Sequence, residues 1–173
     1  MQQKFSIMKN IILFASISFA AGLMFVNFYN SLVDAKSWGS DIPNSISAAR
    51  EYFKTVNPGH FFRVYSPINQ VLALLALILF WKTAPAARVY LGAAFGMYFL
   101  SEMFTFAYFF PRNDILWETA QLTDVDTLKK AWSEWNTMNW LRTFMLLVGL
   151  VFSFLSLHKI FTIRYKRQDC CLA

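Results

Sequence analysis

Glu102, Arg142 and a handful of asparagines stand inside apolar sequence where plain aliphatic residues would serve. If the third apolar stretch ends at Pro111, Glu102 lies about 14 Å inside it at 1.5 Å of rise per residue. A carboxylate at that depth is expensive and marks either a function or a buried partner. Arg142 lies about 9 Å past Asn136, so the two depths differ by about 5 Å, which long side chains can close. The pair is therefore expected to approach within salt-bridge or one-water distance, each charge relieving the burial of the other. A carboxylate in an apolar setting beside amide and guanidinium donors is equipped to take a proton from a lipophilic compound and to steady the oxyanion that results. In that reading Glu102 and Arg142 carry the chemistry. Asn113 and Asn139 supply further donors, Asn27 and Asn30 line the site from the first helix, and Tyr98, Tyr108 and Trp135 hold a flat ligand. The structural alternatives are an ion pair that only holds helices together and an arginine that reaches up to lipid phosphates.

The elements that must position these residues are membrane helices. The chain has 173 residues, 57% of them apolar, 18% aromatic and only 15% charged, which is far from soluble composition. A bilayer core needs about 20 apolar residues per helix, and the stretches 11–29, 68–81, 89–110 and 140–161 qualify or nearly qualify. The expected fold is all-α: one domain over 1–173, an integral membrane antiparallel four-helix bundle with short interfacial helices. The spans are placed at about 7–33, 64–82, 87–110 and 136–161, and the interfacial helices at about 44–56 and 124–135. The 68–81 stretch is too short to cross alone, so its helix must extend upstream through Pro67 with a kink, or be buried by its neighbours. Gly92 and Gly96 form a small-xxx-small pair suited to close helix approach. Thr123 followed by Asp126 suggests a capping box opening the second interfacial helix.

Two helices carry polar faces. Ser16, Asn27, Asn30, Ser31 and Asp34 share one side of the first. Trp135, Asn139, Arg142, Leu146, Gly149, Ser153 and Ser156 recur at alternating steps of 4 and 3 on the last, a face turned toward neighbours. A polar cavity is expected between the first, third and fourth spans. The tryptophans of the connections read as an aromatic belt at the membrane surface.

The formal charge of +6 comes from basic residues dispersed at helix ends, a positive-inside pattern and not a nucleic-acid footprint. Both termini are expected on the cytoplasmic side of a bacterial inner membrane or its equivalent. Adjacent Cys170 and Cys171 give no disulfide framework, and the terminal Cys-Cys-Leu-Ala only loosely fits a lipidation signal. His60 and His158 lie far apart, so no metal site and no cofactor are expected. Phosphate-binding loops and nucleophile elbows are absent from the sequence.

Pro111-x-Asn113-x-x-Leu116, followed by Trp135-x-x-x-Asn139-x-x-Arg142 leading into the last span, resembles the anthrone-oxygenase-like family of small four-helix membrane proteins. The specific part covers about forty residues, and the four-helix layout extends the likeness over nearly the whole chain. The family pattern usually carries His where this chain has Asn139, an amide that cannot titrate near neutrality. The resemblance implies a cofactor-independent oxygenase acting on a lipophilic aromatic or quinol-like small molecule. The alternatives from the residues are a non-enzymatic membrane subunit or assembly factor docking a larger membrane-protein partner, and a small-solute transporter. The last lacks the internal repeat or paired broken helices usual for that class.

Overall fold

A computed structural model of the chain describes residues 2–118 and 124–172, with side chains described over 7–117 and 124–165. Among the described residues seven α-helices run in order: α1 (Gln2–Tyr29), α2 (Ala35–Trp38), α3 (Asn44–Tyr52), α4 (Pro58–Phe80), α5 (Pro85–Phe104), α6 (Phe110–Asn113) and α7 (Val125–Leu172). π-helical turns at Asn30–Asp34, Thr105–Phe109 and Asp114–Glu118 join α1 to α2, join α5 to α6, and carry α6 onward. Four helical stretches are long and apolar enough to cross a membrane: Ile7–Trp38, Pro58–Phe80, Pro85–Trp117 and Val125–Tyr165. The protein is an all-α membrane bundle.

Several boundaries differ from the sequence expectation for local reasons. The second span begins at Pro58 and not near 64, because Asn57 and His60 form a reciprocal capping box and proline sits at the first helical position. Pro111 does not end the third span. The π turn at Thr105–Phe109, closed by the Phe110 amide bonding to the Thr105 carbonyl, shifts the hydrogen-bond ladder just ahead of the proline, and the chain stays helical through Asn113. The segment expected at 124–135 is no separate interfacial helix. It is the opening of α7, which runs unbroken from Val125 with no proline anywhere in its length. Its cap is Asp124, whose carboxylate accepts from the Thr127 hydroxyl and the Asp126 amide; Thr123 lies outside the described residues.

α1 and α7 place both termini at one end, where Phe14 and Phe161 lie 6.4 Å apart. There small side chains let the helices approach closely: Ala20, Ala73, Ala76, Ala87 and Ala94 are buried among Leu13, Phe80, Leu91, Leu150 and Ile160. The opposite, distal end holds a second core made by the connections. Ala35, Trp38, Ile46, Phe109, Leu116, Leu128, Ala131 and Trp135 pack together. Trp38 and Trp135 are thus interior residues with rings 5.2 Å apart, whereas Trp81 and Trp140 are about half exposed, as a belt residue would be. Trp132 donates its indole N–H to the Ala35 carbonyl at 2.6 Å. A Cβ on Gly39 would overlap that indole, so only glycine fits there.

Candidate functional site

Every member of the predicted polar face on α7 is buried, from Trp135 through Ser156. On α1 and the π turn that follows it, Ser16, Asn27, Asn30 and Ser31 are buried too. The two faces meet at Asn139, which is fully enclosed. Its Nδ2 donates to the Ser31 hydroxyl at 2.7 Å and to the Asn27 carbonyl at 3.2 Å, and its Oδ1 accepts from Arg142 Nη2 at 2.5 Å. Asn139 therefore does not line the ligand space, as the sequence suggested. It stands behind Arg142 and ties α7 to α1.

Arg142 is buried, with aromatic faces around its guanidinium: Phe109 at 4.2 Å, Phe62 at 5.4 Å and Trp135 at 5.9 Å from the ring centroids. Such contacts compensate part of the lost hydration of a cation. Its Nε has no partner. Among the described residues no ion pair joins it to Glu102. The Glu102 carboxyl has the Ser66 hydroxyl of α4 as its hydrogen-bonding neighbour, and Arg142 acts on it through space. Of the two expected arrangements the direct ion pair is not formed among the described residues, while the carboxylate and the guanidinium still act on each other through space.

Between these residues lies a cavity of about 540 Å³, within the range of small-molecule sites. Leu23 and Asn27 of α1 with Asn30 of the π turn after it, Tyr98, Ser101 and Glu102 of α5, and Trp135, Arg142 and Leu146 of α7 form three of its walls. The fourth is α4, which the sequence did not assign to it: residues from Pro58 to Gln70 line it at every turn. Arg50, Phe53 and Asn57 close the distal end, with Asn113, Asp114 and Trp117 opposite. Asn27 Oδ1, Asn69 Oδ1 and Gln70 Oε1 are buried acceptors without partners. Together with Arg142 Nε they present unused hydrogen-bonding capacity on or around one space, a costly arrangement unless something occupies it.

Of the other predicted site residues, Tyr98 lines the cavity and hydrogen-bonds Ser153 through its hydroxyl at 2.9 Å. Asn113 accepts from the Trp135 indole at 2.9 Å, which fixes both at the rim. Tyr108 is not on the wall. It is the platform for Arg112, whose guanidinium lies 3.5 Å from its centroid and pairs with Glu134 at 2.8 Å. The residues that sequence reasoning left out of the site are Ser66, Asn69 and Gln70. Asn69 and Gln70 were visible as polar positions opening the apolar run of α4, but their partners were not. The distal cover is fastened by Arg50, which donates to the Leu116 carbonyl at 2.7 Å and the Ile115 carbonyl at 3.0 Å. Burial pulls its guanidinium pKa below the ordinary value. Among the described residues no group of His, Cys, Asp and Glu is arranged to hold a metal ion.

Compared with known proteins, the chain matches a family model described as anthrone oxygenase over residues 61–152. That is a little over half of the chain, and it contains the α4, α5 and α7 walls of the cavity. Neither the curated proteins nor the solved structures yield a match.

Proposed function

The chain belongs to the anthrone oxygenase family, and on that premise we propose that it oxygenates a lipophilic aromatic or quinol-like compound in the distal cavity without a cofactor. The observation that carries this reading is the placing of Glu102 and the buried Arg142 on two walls of one cavity, each with a different neutral residue beside it. Because no ion pair ties the carboxylate to the guanidinium, the first can accept a proton while the second faces the charge that develops. Glu102 removes a proton from an activated ring CH₂. Arg142, with Asn113 at the rim, steadies the resulting oxyanion. Dioxygen is the oxidant: it adds at that carbon to give a hydroperoxide after reprotonation, and loss of water leaves a carbonyl, so CH₂ and O₂ become C=O and H₂O. Tyr98 and Trp135 border the space as flat surfaces for an aromatic ligand.

The docking-subunit alternative relies on free aromatic faces, and the distal aromatics spend theirs on each other: Trp38 lies 4.6 Å from Trp117 and 5.2 Å from Trp135. The positive residues flanking the terminal end support a cytoplasmic location for both termini, with the cavity on the opposite side.

The test is oxygen consumption by the purified protein in nanodiscs across a panel of anthrones and phenolic tautomers of compounds that carry an activated ring CH₂. One O₂ consumed per carbonyl formed is expected, with Glu102→Gln lowering the rate by about 10²-fold or more and Tyr108→Phe leaving it unchanged. No turnover on the panel, together with co-purification of a stoichiometric larger partner in mild detergent, would replace this reading with the docking subunit.

A further inference from the structure

The wall that sequence reasoning missed is also the loosest part of the bundle. The buried residues of α4 are Asn69, Ala73, Ala76 and Phe80, so none of positions 58–68 is buried. A helix of 23 residues packs its terminal half in the core with α5 through Ala73, Ala76 and Phe80, and its distal half buries no residue. Pro67 sits where the two halves meet, removing one rung of the helical ladder, the usual cause of a bend. The distal half leans instead toward α1: Tyr65 stacks on Phe19 at 5.5 Å and on Phe61 at 4.3 Å. Ser66 still reaches Glu102 of α5, so the gap lies distal to that contact, beside the π turn and α6 that continue α5.

That gap is framed by apolar residues which face two ways. Phe106 and Phe110 line the cavity and are 47% and 48% exposed within a stretch long and apolar enough to cross a membrane, and their rings pair edge to face at 5.0 Å. Pro67 of α4 likewise lines the cavity and is exposed. A residue that belongs at once to a cavity wall and to the lipid-facing surface marks an opening between them. The water-side rim, by contrast, carries the formal charges of Lys54, Arg63 and Asp114, which an apolar ligand would have to pass after leaving the bilayer.

We propose that the cavity is loaded sideways from the distal leaflet, through a portal between the distal half of α4 and the end of α5 framed by Pro67, Phe106 and Phe110, so that its ligand is a membrane-dissolved compound that need not enter water. This rests on the cavity being a ligand site, as in the proposed function, but not on any turnover there.

The experiment uses thiol labelling in phosphatidylcholine and phosphatidylglycerol liposomes, with Cys170→Ser and Cys171→Ser as background. Ser101→Cys places a thiol on the buried cavity wall, and Thr105→Cys is a second position on the same wall should the first variant fold poorly. Rates are referenced to Ser37→Cys, an exposed position. A pyrenyl maleimide that partitions into the bilayer is expected to label the cavity thiol about tenfold faster, relative to the reference, than a permanently charged methanethiosulfonate. Phe106→Ala is expected to accelerate the maleimide further, and Lys54→Ala to leave it unchanged. Equal relative rates for the two reagents, acceleration by Lys54→Ala in place of Phe106→Ala, or no labelling of either cavity thiol would overturn the portal. Preferential maleimide labelling in a protein that turns over no aromatic substrate would sink the oxygenase reading while leaving the portal standing; turnover with equal labelling would do the reverse.

Discussion

Asn139 holds Arg142 in place: one amide accepts from the guanidinium at 2.5 Å and donates to Ser31 at 2.7 Å, so a single α7 residue fixes the buried cation and joins α7 to α1. Its other donor contact, to the Asn27 carbonyl, closes the join. All the groups involved are buried, and removing the amide leaves polar atoms without partners. Asn139→Ala is therefore expected to destabilise the bundle by about 1–3 kcal/mol, read as a fall in the thermal midpoint in detergent. An unchanged midpoint would mean that Arg142 finds other partners at no cost.

The separation of Glu102 from Arg142 predicts a modest coupling. Each is held by a neutral neighbour and they interact only through space. A double-mutant cycle of Glu102→Gln and Arg142→Gln on folded stability should give a favourable coupling of about 1 kcal/mol, toward the low end for neighbouring sites. A coupling of several kcal/mol would reveal a direct pair, and strict additivity would remove Arg142 from the electrostatics of Glu102.

Gly149 and not the Gly92–Gly96 pair is where this bundle needs a missing side chain. A Cβ at Gly149 would overlap the Tyr98 ring, while one at Gly92 or Gly96 meets nothing within 4 Å. Gly149→Ala should displace Tyr98, break its bond to Ser153 and cost about 1–3 kcal/mol. Gly92→Ala and Gly96→Ala should be neutral or stabilising by up to about 1 kcal/mol, from helix propensity alone. Thermal unfolding of the three variants side by side checks the ranking.

The start of α7 should loosen in acid. Hydrogen bonds from the Thr127 hydroxyl and the Asp126 amide hold the Asp124 carboxylate below its ordinary pKa of 3.8. A depressed folded-state value means that the cap contributes fully above the unfolded pKa, and that the contribution is lost as pH falls through the folded one. Hydrogen exchange at the amides of residues 126–128 should speed up below about pH 4 relative to the rest of α7. Asp124→Asn should abolish that pH dependence, and its persistence would place the titrating group elsewhere.

Arg50 should prove to be the fastener of the distal cover. It spans from α3 to two carbonyls at the end of the third membrane stretch, a two-pronged contact that lysine cannot reproduce. Arg50→Ala and Arg50→Lys are both expected to expose the 44–57 segment to limited proteolysis, lysine the less severely. Equal resistance to wild type would show that the aromatic packing of Trp38 on Phe53, at 6.5 Å, suffices alone.

The amino-acid sequence by itself determined the apolar spans and the inward face of α7, because both depend on local quantities: run length against bilayer thickness, and side-chain recurrence at helical period. The family was legible too, in Pro111, Asn113, Leu116, Trp135 and Arg142. Only the tertiary structure decided what those residues touch. Three π-helical turns interrupt the spans at their distal ends. Each adds a residue to one turn and so rotates the helix beyond it by about 100°, which defeats a face extrapolated across it. That is why Tyr108, inside the turn at Thr105–Phe109, supports Arg112 instead of lining the cavity with Tyr98. The wall from α4 was hidden for a different reason. Nothing local to Ser66, Asn69 or Gln70 tells whether the helix packs on α5 or stands away from it. That choice is made by how closely the alanines of the other half, Ala73 and Ala76 against Ala87 and Ala94, let the two helices approach.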